Sequence, residues 1–192
     1  MKTVLITAPT ALAVSVDEIK AHCRITSAEE DTYLETLITT AIEHIEQITG
    51  RKLVSQTWKL LLDEWPGDAE ITLPFGECSA VNSIKYTDRE GVATTWPAEN
   101  YVVDKDSTPA RVVIGYGLSW PSVELLHVNP IAVEFVSGYG VAAKVPAPLK
   151  HAIKFLVAHW HENRETVVIG QSVSALPITV DRLIWPFRLF GF

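Results

Sequence analysis

The chain is short of several things, and each shortage removes a class of function. Its 192 residues include only two cysteines, Cys23 and Cys78, far apart and outside any CxxC pattern. A disulfide framework or a zinc ribbon is therefore excluded, and reduced thiols are expected. Basic clusters are missing as well. No run of Lys or Arg is longer than Arg51-Lys52, and acidic residues outnumber basic ones 23 to 16, for a net charge of −7. Proteins that grip nucleic acid by its phosphates show a basic face, so sequence-specific DNA binding is not expected. No apolar stretch approaches the roughly 20 residues of a membrane span. The start, MKTVLITAPTALAVS, carries one basic residue and is interrupted by Pro9. It reads as an extended arm over residues 1–14, not as a signal peptide. The sequence also lacks a GxSxG elbow, a P-loop and a GxGxxG turn.

What remains is globular composition, 47% apolar and 20% charged, with three regions of different periodicity. The first is helical. Ser15 with Glu18 has the spacing of a capping box and opens a short helix over about 15–24. Ser27 with Glu30 has the same spacing ahead of a long helix over 28–49. There Leu34, Leu37, Ile38, Ala41, Ile42, Ile45 and Ile48 form one apolar stripe, opposite a polar side with Glu35, Glu43, His44 and Glu46. Gly50 is placed to stop that helix. The middle, 56–137, is a series of short β-rich runs separated by Pro, Gly, Asn and Asp. Within it TDREGVATTW reads as a hairpin turning at Asp88–Gly91. The third region returns to helix over 148–164, with Pro146 and Pro148 at its start. The expected fold is thus α+β. A small helical bundle core, 15–55 and 138–192 with a C-terminal tail, carries an antiparallel β-rich insertion at 56–137.

An enzyme reading would begin at AHWHENRE, residues 158–165. His159 and His161 lie about 200° apart around a helix and point in different directions. The order His-Glu-Asn-Arg-Glu lacks the second histidine of HExxH, which a zinc protease needs four positions on. A metal hydrolase using His159, His161 and Glu162 is nevertheless one alternative reading. The more economical one is a solvated helix end, with no metal and no cofactor. Four of the six tryptophans precede proline, namely Trp65, Trp96, Trp120 and Trp185. Proline holds its predecessor extended, so these are strand ends where a large ring covers an edge. A β-type module stacking these rings on sugars or peptides is the second alternative.

The order of the segments is more specific than any one of them. SVDEIKAHCRI is followed by EEDTYLETLI, AIEHIEQITGRKL and QTW. Then come VNSIKYTDREGVATTWPAENYVVD, VEFVSGYGVAAKVPAPLKHAIKFLVAHWHENRE and LPITVDRLIWPFR. Over residues 13–188 this succession resembles the head–tail connector (adaptor) proteins of tailed bacteriophages, and of related prophages and gene-transfer agents, in the branch with a β insertion. His161 departs from the family pattern, which usually has an aromatic there, and the 166–180 loop does not align. The resemblance implies a structural protein and not an enzyme. It would be a virion neck subunit, assembled in the host bacterial cytoplasm into a ring, commonly a dodecamer. That ring would lie between the portal protein and a downstream neck, stopper or tail-terminator protein. It would extend the channel through which DNA passes, with no specific DNA binding and no membrane. The expected packing sets the long helix against the 149–163 helix and leaves the edges of the β region to meet neighbours.

The tail LIWPFRLFGF is apolar for a chain end, and chain ends stay loose unless they dock. Leu183, Ile184, Trp185, Phe187, Arg188, Leu189, Phe190 and Phe192 are therefore the candidate contact residues for a partner, the alternative being that the tail completes the subunit's own core. In the resembled family the corresponding segment reaches toward the portal.

Overall fold

The structure, a computed structural model, describes residues 1–164 and 178–189. Phe190, Phe192 and the 166–177 part of the loop thus lie outside the described residues. The chain divides into two compact units. Among the described residues, one is built from Met1–Pro9 and Ser55–Tyr139, the other from Thr10–Val54 and those that follow Tyr139.

The helical unit contains α1 (Val16–Cys23), α2 (Asp31–Thr49), α3 (Ala147–Glu162) and α4 (Ile178–Ile184). Helix α1 starts as its sequence dictates. The Ser15 hydroxyl accepts the Glu18 backbone N–H at 3.1 Å, while the Glu18 carboxylate accepts that of Ser15 at 3.0 Å. Glu18 also anchors α3, receiving the amine of Lys154 at 3.1 Å and lying 3.6 Å from that of Lys150. Helix α2 begins three residues later than the 28–49 expected, because the second capping box does not form. Ser27 accepts the N–H of Glu29 instead, and the Glu30 side chain turns to α3, where His161 and Arg164 both bind it. Gly50 ends α2 at φ +69, in the left-handed region.

The α2 stripe is buried as its period requires, with Leu34, Ile38, Ala41 and Ile45 fully enclosed. It packs on α3, whose Leu149, Ala152, Ile153, Leu156 and Val157 supply the other half of the core. One residue assigned to the polar side is misplaced by periodicity alone. Glu46 is buried, its two carboxylate oxygens accepting the Leu53 N–H and the Lys52 amine, each at 2.9 Å. It closes the turn after α2, so its charge faces protein donors and not solvent.

The β unit holds two antiparallel sheets. Their strands are β1 (Lys2–Thr7), β2 (Gln56–Leu62), β3 (Glu70–Thr72), β4 (Cys78–Thr87), β5 (Ala93–Trp96), β6 (Tyr101–Asp104), β7 (Arg111–Ile114) and β8 (Ile131–Ser137). The larger sheet runs β1-β2-β8-β4-β5 and the smaller β3-β7-β6. Residues 2–7, within the segment read as an arm, are thus the edge strand of the larger sheet, with Lys2 opposite Leu61 and Leu5 opposite Trp58. Central β8 alternates strictly, burying Ile131, Val133, Phe135 and Ser137, as a strand with one core-facing side must. The hairpin turns where expected: the Asp88 carboxylate accepts the N–H of Val92 at 2.8 Å, and Gly91 takes φ +84.

Both sheets contribute to one core, centred on Leu60, Ile71, Leu73, Ile84, Val112, Val133 and Phe135. Arg111 stitches the smaller sheet across all three strands, reaching Asp104 on β6 and Glu70 on β3 at 3.0 Å each.

Candidate functional site

The apolar tail is only partly available to a partner. Helix α4 packs on α3 and sets Ile184 fully inside the helical core. A short 3-10 turn, Trp185–Phe187, follows. The Phe187 carbonyl accepts the Arg51 guanidinium N–H at 2.6 Å, and the Leu189 N–H donates to the Thr49 carbonyl at 2.8 Å. Arg188 is held by Asp181 at 2.7 Å, and its guanidinium lies over the Trp185 ring, 5.0 Å from the centroid. Leu183, Phe187, Arg188 and Leu189 are half-buried in this arrangement, and Trp185 is 54% exposed. Of the candidate contact residues that are described, Trp185 is therefore the one that presents a large apolar surface outward. Ile184 serves the subunit's own core.

At the end of α3 the polar residues are divided among separate tasks. His159 is exposed, and its carbonyl accepts the Asn163 side-chain amide at 2.9 Å. His161 points elsewhere, with Nε2 2.8 Å from Glu30. Arg164 joins the same carboxylate and lies over the Tyr33 ring at 4.9 Å. The Arg164 hydrogen bond first, then that from His161, hold the Glu30 carboxyl below its ordinary range. Glu162 is exposed. No group of three or more His, Cys, Asp or Glu side chains among the described residues is gathered as metal ligands must be. The arrangement fastens one helix end to another, which is structural work.

Three of the tryptophans that precede proline converge, which their sequence positions do not reveal. Trp65 stacks on Trp120 with ring centroids 4.8 Å apart, and Trp96 lies 5.1 Å from Trp120 and 5.3 Å from Tyr101. Trp96 is buried and the Trp120 indole donates to the Asp68 carbonyl at 3.0 Å. The rings spend their faces on one another, closing one end of the β core. Trp185 belongs to the helical unit.

No helix among the described residues is long and apolar enough to cross a membrane. The described elements define an α+β protein. The chain belongs to the phage gp6-like head–tail connector protein family, whose model matches residues 13–109; it is a structural connector protein and not an enzyme. Among solved structures it is similar to a chain of the neck of an empty GTA particle computed with C6 symmetry, at 25% identity and a TM-score of 0.83. It is similar also to a chain in the neck of a native GTA particle computed with C12 symmetry, at 25% identity and a TM-score of 0.82. A third similar chain, in the virion of a native gene transfer agent particle, shares 24% identity with a TM-score of 0.80. Each likeness covers 100% of this chain and 97% of the other. No curated protein matches the chain.

Proposed function

We propose that this connector is the repeating subunit of a ring in the neck of a tailed phage or gene-transfer particle. The ring lies below the portal, continues the DNA channel and offers a platform for the next neck or tail-terminator protein. The observation that carries this reading is the family match together with a likeness to particle-neck chains over the whole length. A twelvefold ring fits the C12 symmetry of one of those necks. The excess of acid over base fits a conduit whose wall repels phosphate and lets DNA slide. Assembly takes place in the host bacterial cytoplasm, before the particle leaves the cell.

Contact with the portal falls to the outward face of the tail, with Trp185 as its anchor. A large exposed ring backed by a cation suits a pocket on a partner. The test is co-purification with the portal protein, alongside imaging of particles assembled with this chain. Trp185→Ser is expected to fold as the parent does and to lose portal binding by tenfold or more. Undiminished binding removes the tail from the contact. A neck that assembles without this polypeptide removes the ring.

A further inference from the structure

We infer that neighbouring copies in the ring join sheet to sheet, the outer edge of β1 in one copy lying beside the outer edge of β5 in the next, as parallel strands. This rests on the ring reading above and deepens it. The larger sheet ends at β1 on one side and β5 on the other, and among the described residues no strand pairs with the outer edge of either. Folded monomers blunt such edges with charges, prolines or bulges. These two edges are poorly blunted. β1 carries no charge after Lys2, and its bulge falls between Leu5 and Thr7, leaving Lys2–Leu5 regular. β5 is the uncharged Ala-Thr-Thr-Trp, four residues long and exposed over its first three. The smaller sheet differs, since its edge strands β3 and β6 carry Glu70 and Asp104, both bound to Arg111. Two four-residue ladders, with Lys2 their one charge, thus stand at opposite ends of one sheet, as a head-to-tail joint requires.

Direction follows from symmetry. Every neighbouring pair from β1 through β2, β8 and β4 to β5 is antiparallel, so β1 and β5 run the same way. Rotation about a ring axis turns each copy by about 30° for twelve copies or about 60° for six, too little to reverse a strand. The joint is therefore parallel. A two-fold contact of β1 with β1 would be antiparallel and would stop at a dimer. In the parallel register that sets Lys2 beside Ala93, Met1 meets Val92, residues that are 74% and 58% exposed in the single chain. The Lys2 amine then approaches the turn before β5, which carries exposed Glu90.

The experiment is disulfide trapping in particles assembled with the full-length chain. Thr3→Cys or Val4→Cys is combined with Ala93→Cys, Thr94→Cys or Thr95→Cys, and the parent chain with its native Cys23 and Cys78 is the control. A ladder of covalent multimers from at least one pair, absent from each single variant and from the parent, is the expected result. Necks that contain the chain but give no ladder from any pair overturn the joint and leave the ring standing. Dimers from a β1 cysteine alone overturn it in favour of two-fold pairing. Particles whose necks lack the chain remove the ring itself, and the joint with it.

Discussion

The backbone N–H of Leu189 donates to the Thr49 carbonyl at 2.8 Å, tying the segment after α4 to the last turn of α2. Gly50, one residue on, takes φ +69, and a Cβ built there would meet that of Leu189 at 3.5 Å, an ordinary contact. Space is not the obstacle to a side chain at this position; the left-handed backbone is, at about 1–2 kcal/mol for an L residue. Gly50→Ala should therefore lower Tm by about 2–4 °C for each kcal/mol lost. Gly50→Asn, whose side chain tolerates that region, should lose less. Equal losses for the two would remove backbone strain as the cause.

Adjacent Ile184 and Trp185 should part company under mutation. Ile184 is fully buried while Trp185 is more than half exposed. Ile184→Ala opens a cavity and should cost about 2–5 kcal/mol, whereas Trp185→Ser should stay within about 1 kcal/mol. Thermal unfolding followed by circular dichroism separates them, and a Trp185 variant as unstable as the Ile184 one would show that the ring belongs to the core.

Among the described residues of the helical unit Glu46 is the buried charge, bound to the Leu53 N–H and to Lys52. Glu46→Ala leaves that N–H without its carboxylate and should cost about 1–3 kcal/mol in denaturant unfolding. Glu46→Gln keeps an acceptor for Leu53 and should recover part of the loss. If Gln is no better than Ala, the charge of the carboxylate carries the effect.

Acid should loosen the smaller sheet. The Ser107 hydroxyl, then Arg111 and the Ser107 N–H, lower the Asp104 carboxyl from 3.8 to about 2. A depressed carboxyl adds stability that is complete above its unfolded value and is lost as pH falls through the folded one. The contribution should therefore hold above about pH 5 and fade toward about pH 2. Asp104→Asn removes it, so the stability gap between parent and variant should narrow over that range. A gap that does not change with pH would contradict the assignment.

The two histidines at the end of α3 make a further contrast. His161 binds Glu30 at 2.8 Å and is mostly enclosed, whereas exposed His159, among the described residues, bonds to Asn163 of its own helix end. His161→Ala should cost about 0.5–1.5 kcal/mol, and His159→Ala no more than about 0.5 kcal/mol. Hydrolytic turnover that vanished with His159 would revive the catalytic reading.

What could be seen in advance was whatever depends on near neighbours in the chain. The Ser15–Glu18 box, the Gly50 stop, the Asp88–Gly91 turn and the α2 stripe each need only a few adjacent residues to form. Distant partners defeated the rest. Ser27 and Glu30 have the same spacing as the first box, yet Glu30 is claimed by His161 and Arg164 from more than a hundred positions away. Glu46 lies on the polar side of a helical wheel and is buried because the chain doubles back at Leu53. The first residues read as an extended arm, but which strand they pair with depends on β2, about fifty positions on. The convergence of Trp65, Trp96 and Trp120 likewise depends on the packing of two sheets. In the tail, hydrophobicity alone could not separate Ile184, which packs inward, from Trp185, which faces out.

Gln56 and Ser137, the first residue of β2 and the last of β8, face each other across one rung of the larger sheet. The residues between them leave and rejoin this rung at neighbouring points, about 5 Å apart at the α-carbons. Such a doorway lets the excursion between the two be lengthened, trimmed or exchanged while the rung itself stays closed.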